Sequence, residues 1–244
     1  MSRPTHEILK IRYKCSKCDL RDKNFFCSVS SGLLSTFESL KITNEYSKGS
    51  TLFSQGQPSN GVFMLCQGRV KLTACSKDGR STILGIAEAG EVLGLGAAIS
   101  DVVHQATGEA IEDCQVNFVA KRDFQRFLKD NPEPAFNAAR QLSRDHAAAW
   151  DQIRSLALSH SAAERLARLL LGWSSKNGNG SAKKPMKTSF THEDMAAMIG
   201  ASRETVTRIL RDFRERDLIA IHGKEFGMLD EKKLESMTGD KKES

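Results

Sequence analysis

Apolar residues change their spacing along this chain, and each change marks an element. Between Ser30 and Ile42, the residues Leu33, Leu34, Phe37 and Leu40 recur three or four apart, which predicts a helix with one apolar face. From Tyr46 to Phe118 glycine interrupts short apolar runs every few residues. Gly61-Val-Phe-Met-Leu-Cys66 and Gly68-Arg-Val-Lys-Leu-Thr73 read as strands. Lys77-Asp78-Gly79 reads as a hairpin turn, because Asp-Gly readily takes the left-handed conformations such turns need. Short strands between frequent turn signals predict a β barrel or sandwich. Phe124 to Leu128 reads as a short helix after it.

A long helix is predicted after Pro134. Along it Ala139, Leu142, His146, Ala149, Ile153 and Leu156 lie alternately three and four apart, one seam in a coiled-coil register. Small alanines there allow close approach of a second helix, so pairing with a second copy is favoured over packing on its own β domain. A break is expected near Ser159–Ser161. Ser161-Ala-Ala-Glu164 has capping-box spacing and opens a helix through Leu166, Ala167, Leu169 and Leu170. Ser174 to Pro185 has loop composition.

The densest pattern lies between Thr191 and Phe213. Thr191 can cap one short helix, Gly200 breaks it, and Ser202 can cap the next, which is a helix-turn-helix arrangement. At about 100° per residue, Val206, Ile209, Leu210 and Phe213 share one face of the second helix. Ser202, Arg203, Glu204, Thr207, Arg208 and Arg211 occupy its cap and the other face, as candidate DNA-binding residues. Arginine can donate twice to guanine O6 and N7, and glutamate can accept from cytosine N4. The bland use of that face is a solvated charge run. A hairpin over Leu218-Ile-Ala-Ile-His-Gly-Lys-Glu-Phe-Gly-Met-Leu229 follows, resembling the wing of a winged helix.

Composition adds bounds. The 244 residues are 39% hydrophobic and 27% charged, which fits one large or two modest soluble domains. No apolar run approaches the ~18–20 residues of a membrane span. The first residues, Met1-Ser-Arg-Pro-Thr-His-Glu-Ile8, lack a signal peptide's apolar segment, so a cytoplasmic protein with no membrane partner is expected. Lys and Arg exceed Asp and Glu by 36 to 30, and the resulting +6 permits a nucleic-acid partner without requiring one. There is no P-loop, HExxH or nucleophile–base motif, so no enzyme activity is expected.

Three of the six cysteines, Cys15, Cys18 and Cys27, cluster near the N-terminus. In a reducing compartment such a cluster is a metal or redox site rather than a disulfide framework. C-x2-C lets two sulfurs reach one metal, and thiolates suit iron–sulfur clusters or zinc. Lys14, Lys17 and Lys23 are placed to lower the thiol pKa values. Cys66 alternates with Val62 and Met64, and Cys114 with Val116 and Phe118, so each is a small core residue or a further ligand. Cys75, near the hairpin turn, carries no signal.

The stretch Gly200-Ala-Ser-Arg-Glu-Thr-Val-Thr-Arg-Ile-Leu210 resembles the recognition helix of the CRP–FNR superfamily of transcription regulators. Gly90-Glu-Val-Leu-Gly94 and the Gly49…Gly56…Gly61…Gly68 framework are similar to that family's β-roll, and the resemblance covers about residues 30–230. It implies an α+β chain with an N-terminal antiparallel β-roll (a cupin-like sensor), a long dimerisation helix and a C-terminal winged helix-turn-helix. The implied domains are a cysteine-bearing segment at 1–30, the roll at 31–132, the helix at 133–159 and the winged domain at 160–244. The resemblance further implies a homodimer on a palindromic operator in double-stranded DNA, with Arg203, Glu204 and Arg208 reading bases and half-sites about one helical turn apart. The loop from Ser174 to Met186 matches where the family's activators touch RNA polymerase, with a plain linker as the other use.

Two features concern the signal. In the family's cyclic-nucleotide binders a glutamate follows the cassette glycine and holds ribose, and an arginine about ten residues on pairs with the phosphate. Here Leu95 and Gln105-Ala106 stand in those places, which argues against cyclic-nucleotide control, since a charge-assisted contact of about 1.5–3 kcal/mol is missing. The run Cys15-Ser-Lys-Cys18-Asp-Leu-Arg-Asp-Lys-Asn-Phe-Phe-Cys27 resembles the iron–sulfur sensor of oxygen-responsive members. That implies redox or oxygen control through a [4Fe–4S] cluster on Cys15, Cys18 and Cys27; zinc or a thiol switch, and a metal-free segment, stay open. The gap to Cys27 is longer than the family's, and the family's fourth ligand aligns with Asn117, leaving Cys66 or Cys114 as candidates. His146 and His160, on or near the seam, read as hydrogen-bonded interface residues. A reading from another class is a small-molecule-binding, cyclic-nucleotide-like signalling module acting on a protein partner, and it predicts no salt-dependent duplex affinity.

Overall fold

In the computed structural model, the described residues are Cys15, Cys18, Leu20, 27–176, 186–187, 190–222 and 225–238. The elements are α1 (Ser31–Leu40), β1 (Lys41–Tyr46), β2 (Thr51–Phe53), β3 (Gly61–Gln67), β4 (Arg69–Cys75), β5 (Ser81–Glu88), β6 (Val92–Leu93), α2 (Leu95–Ser100), β7 (Thr107–Ala110), β8 (Cys114–Ala120), α3 (Lys121–Asp130) and α4 (Pro132–Leu158). They continue as α5 (Ala162–Lys176), β9 (Met186–Lys187), α6 (His192–Ile199), α7 (Arg203–Glu215), β10 (Ile219–His222), β11 (Glu225–Met228) and α8 (Glu231–Met237). The chain divides into two compact units, Met1–Cys75 with Gly85–Asp145, and Ser76–Leu84 with His146–Ser244.

One antiparallel sheet has the order β1-β8-β3-β6, and a second sheet has the order β2-β7-β4-β5. Successive strand side chains point to opposite faces, so each central strand serves two cores. Phe63 and Leu65 of β3 join Cys114 and Val116 of β8, with Leu52, Val70 and Leu93, in the core between the sheets. Val62 and Met64 of β3 and Val119 of β8 face the other way, onto Phe37 of α1, Phe124 and Phe127 of α3, and Ala138 of α4. The sequence expectation of an antiparallel β-roll with flanking helices is met.

Several boundaries differ from the sequence reading. The long helix begins at Pro132 rather than after Pro134. Both prolines sit in its first turn, where a missing N–H is no loss because those groups have no intrahelical acceptor. The helix α2 and the C-terminal α8 were not anticipated, both being shorter than two turns of clear periodicity. Of the loop from Ser174 to Met186, residues 177–185 lie outside the described residues, and Met186 belongs to β9.

The second unit has one core. Leu166 and Leu170 of α5, Met195 and Ile199 of α6, Val206, Leu210 and Phe213 of α7, Ile219 of β10, Phe226 of β11 and Leu234 of α8 all contribute to it. Its sheet has the order β10-β11-β9. α5 opens with a variant of the expected box: the Glu164 N–H donates to Ser161 Oγ at 3.1 Å, while the Glu164 carboxylate reaches back to the His160 N–H at 2.8 Å.

Gly61 is the most crowded of the described glycines. A Cβ there would lie 2.2 Å from the Val119 carbonyl oxygen and 2.5 Å from the Phe118 ring. Backbone cannot yield as a flexible side chain can, so Gly61→Ala should destabilise the first unit by about 1–3 kcal/mol. Urea unfolding followed by tryptophan-independent far-UV circular dichroism checks this; an unchanged midpoint would contradict the packing described.

Candidate functional site

The recognition-type helix is built from its caps inward. Thr191 and Asp194 form a reciprocal capping box at the start of α6. Gly200 ends that helix at φ +62°, a left-handed conformation that favours glycine. The Ser202 hydroxyl then accepts from the Thr205 N–H at 3.2 Å and starts α7. Val206, Ile209, Leu210 and Phe213 are buried against the rest of the unit. Ser202, Arg203, Glu204, Thr207, Arg208 and Arg211 are all exposed.

Those exposed groups are not equally free. The Glu204 carboxylate is held below its usual range by its own backbone N–H and then by the Ser202 hydroxyl. Arg211 Nε donates to Glu215 at 2.8 Å. The Thr207 hydroxyl donates to Arg203 O at 2.9 Å and is hydrogen-bonded with Nδ1 of His192, 2.8 Å away on α6. His192 was missed from sequence, because it lies fifteen residues from Thr207 and nothing in its own helix marks it.

A second constellation lies in the first unit. Cys15, Cys18, Cys27 and Cys66 line one cavity with Leu20, Val29, Leu34, Phe37, Met64, Asn117 and Phe127. Burial pushes the Cys27 thiol up to about 12 and Cys66 up to about 11, and raises Cys15 as well. Next after burial, the charge of Cys66 would raise Cys27, and that of Cys15 would raise Cys66. The expectation of lowered thiol pKa values is therefore reversed for Cys15 and Cys27. Lys14, Lys17 and Lys23, on which it rested, lie outside the described residues.

Polar groups meet the sulfurs from the sheet side. Lys41 Nζ donates to Cys15 Sγ at 3.4 Å. Asn117 Nδ2 donates to Cys66 Sγ at 3.1 Å, and the Asn117 carbonyl oxygen accepts from the Thr43 hydroxyl at 2.8 Å. The Cys15 N–H donates to the Glu38 carboxylate. Cys114 is not part of this set. It lies on the opposite face of the sheet, fully buried, with its thiol donating to Glu112 O at 3.2 Å and Arg69 O at 3.4 Å. Cys75 is exposed at the end of β4. Among the described residues no three cysteine, histidine or carboxylate side chains converge closely enough to hold a single metal ion.

Two family models match successive parts of the chain. Residues 43–131 match the cyclic nucleotide-binding domain, and residues 164–237 match the Crp-like helix-turn-helix domain. The chain belongs to the CRP–FNR superfamily of DNA-binding transcription regulators. It is 28% identical over 228 residues to the nitrogen fixation regulation protein FixK of Bradyrhizobium diazoefficiens, covering 91% of this chain and 93% of that one. It is 25% identical over 182 residues to the cAMP-activated global transcriptional regulator CRP of Salmonella typhimurium, covering 74% of this chain and 86% of that one. The solved structure of FixK2 from Bradyrhizobium japonicum has a TM-score of 0.73 at 21% identity, covering 82% of this chain and 98% of that one. A CooA mutant from Carboxydothermus hydrogenoformans gives 0.72 at 23%, with 86% and 91% covered. No helix among the described residues is long and apolar enough to cross a membrane.

Against the CRP–FNR pattern, Leu95, Gln105 and Ala106 stand at the nucleotide cassette. Leu95 is buried in the helix-side core, and Ala106 is buried too. Gln105 is exposed and donates to Val103 O at 3.1 Å. His104 is buried and stacks on Phe53 with ring centroids 4.4 Å apart. Burial lowers the His104 pKa, so its ring is neutral near pH 7 and offers no fixed cation to a phosphate.

Along α4 the residues of the sequence seam divide. Ala139, His146, Ala149, Ile153 and Leu156 are exposed, whereas Leu142 is half-buried against the helix-side core of the first unit. Phe136 and Trp150, 65% and 53% exposed, join the exposed residues on this helix. Trp150 Nε1 donates to His146 Nε2 at 2.8 Å.

Removing the Thr191 hydroxyl leaves the Asp194 N–H and one face of the box unmatched. Thr191→Ala should cost the second unit about 0.5–2 kcal/mol. Thermal unfolding of the variant against the parent checks this, and no loss would mean that the cap contributes nothing.

Proposed function

We propose that the chain is a homodimeric regulator that reads a palindromic operator with α7 and whose DNA affinity is set by the redox or metal state of the cysteine cavity. The observation that carries the DNA half of this reading is the division of α7: its apolar face is buried, and Arg203, Glu204, Thr207 and Arg208 stand together on the exposed one. Arg203 and Arg208 can each donate two hydrogen bonds to a guanine edge. Glu204 faces a polyanion, which weakens binding unless it accepts from a base, so its place on this face favours base reading. Arg211, already paired to Glu215, suits a phosphate contact or a purely local role. The sensor roll sits on a chain whose net charge of +6 supplies general attraction without sequence choice.

Dimerisation would use the exposed apolar line of α4. Phe136, Ala139, His146, Trp150 and Ile153 are three, seven, four and three residues apart, which keeps them along one stripe of the helix, as in a coiled-coil seam. A line of large exposed apolar groups on one helix marks an interaction surface rather than a solvated face. The loop from Ser174 to Met186 stands as the candidate contact with RNA polymerase.

The cavity fits a thiolate-bound group by its donor set: soft sulfurs, apolar walls, and N–H donors from Lys41 and Asn117 aimed at two of them. A [4Fe–4S] cluster bound there would supply an oxygen- and redox-sensitive state; zinc is the alternative occupant. Cysteines 15, 18 and 27 would hold it, with Lys41 offsetting their negative charge. Control by a cyclic nucleotide, suggested by the domain match alone, is disfavoured by Leu95, Gln105 and Ala106 at the cassette.

Selection of bound duplexes from a random pool by the full-length protein, prepared without oxygen, tests the reading. It should return a two-fold symmetric site, and Arg203→Ala should lose about 1–3 kcal/mol of discrimination at one base pair of each half-site. Recovery of no palindrome, with or without oxygen, would overturn the reading.

A further inference from the structure

The cysteine cavity holds a fourth thiol that the N-terminal run does not contain. Three observations place it. First, β3 carries a bulge: Leu65 pairs with Val116 and Gln67 with Gln115, so Cys66 is the extra residue between them. A bulge re-aims side chains and bends the strand locally. Second, Cys66 shares its sheet face with Met64, and both line the cavity together with Cys15, Cys18 and Cys27. Third, Asn117 on β8 lines the same cavity and donates to Cys66 Sγ at 3.1 Å, with its carbonyl oxygen held by Thr43. The side chain across the strand pair therefore serves the sulfur of Cys66.

We propose that Cys66, presented by the β3 bulge, is the fourth ligand of a four-cysteine iron–sulfur site completed by Cys15, Cys18 and Cys27, with Asn117 as its hydrogen-bond donor. This rests on the cluster reading above and gives it the missing ligand. All four thiols line one cavity, and among the described residues no three of them converge on a single-metal point; a cluster in which each iron takes one cysteine sulfur does not require them to. Cys114 cannot serve, because strand alternation turns its thiol to the opposite face, where it donates to Glu112 O and Arg69 O. Asn117 and Lys41 supply N–H donors to two of the four sulfurs, the kind of outer contact that orients ligands and tunes a cluster.

The test uses the full chain, purified and reconstituted without oxygen with ferrous iron and sulfide. Iron and acid-labile sulfide per chain and the visible absorption band are measured for the parent, Cys66→Ser, Cys114→Ser and Cys75→Ser. The parent, C114S and C75S should carry iron and sulfide in equal amounts, and C66S should retain less than about half, with a band that bleaches sooner in air. Because C66S could lose packing as well as a ligand, the double variant Cys66→Ser with Asn117→Cys is measured beside it. It returns a thiol to the same cavity from the neighbouring strand and should recover the iron and sulfide. Alkylation of the unmutated protein, read by peptide mass spectrometry, should show Cys66 protected with Cys15, Cys18 and Cys27 before air exposure and labelled after it.

A parent that holds iron and sulfide while C66S holds the same amount, with Cys66 alkylated throughout, overturns the assignment of Cys66 alone. A parent that binds zinc without sulfide, or no metal at all, overturns the cluster reading and this inference with it.

Discussion

The central strand pair, β3 with β8, is the constraint from which the first unit follows. Its pleat divides every side chain between two compartments: Phe63, Leu65, Cys114 and Val116 pack between the sheets, and Val62, Met64 and Val119 pack under α1, α3 and α4. A single shift in parity would send apolar groups to the wrong side along the whole strand. The bulge at Cys66 is where this rule is locally relaxed, after the last strongly buried residue of β3, so it costs little packing. The same partition that builds the cores thus sorts the cysteines, sending Cys114 inward and leaving Cys66 beside the N-terminal thiols.

The second unit repeats the logic with a helical period. Every third or fourth residue of α7, from Val206 to Phe213, is committed to the core that α5, α6, the wing strands and α8 also enter. That commitment fixes the helix's rotation, and rotation decides which side chains point outward. Arg203, Glu204, Thr207 and Arg208 are therefore positioned by the residues buried on the opposite face. Gly200 at positive φ and the Ser202 cap set where α7 begins, so they set the height of Arg203 along it.

These two periods explain what the sequence made legible. Both ends of the helix-turn-helix, its buried face and its exposed face were readable, because caps, glycine and a 3.6 repeat all lie within two dozen residues. The antiparallel roll was readable from glycine spacing and alternation. The orientation of Leu142 was not, since a helix that packs on one side and is exposed on another carries two overlapping stripes, and periodicity alone does not say which belongs to which. The meeting of Cys66 with Cys15, Cys18 and Cys27 was legible only in part: alternation left Cys66 and Cys114 as equal candidates and did not choose between them. It depends on a bulge and on the packing of a segment about forty residues away in sequence, neither of which has a local signature. Lys41 and Thr43 could have been flagged, since they alternate on the strand that pairs with Asn117, but only once the β1–β8 register was known.

The placement of Asn117 bears on how a site can keep its form while its ligands move. Thr43 stands directly opposite Asn117 in the β1–β8 register and fixes the amide so that its N–H points at Cys66. A residue at that position can either offer a sulfur of its own or serve one offered from the adjacent strand, because both side chains reach the same cavity from one sheet face. The helix-side core continues from the cavity without a gap: Phe37 and Phe127 wall the cysteines, and the same cluster includes Ala138 with Leu142 packed against it on α4. A ligand shifts a conformational equilibrium only by preferring one arrangement over another. Within this unit the shared core is one route toward α4: Phe127 walls the sulfur cavity, and Ala138 of the long helix packs in the same cluster.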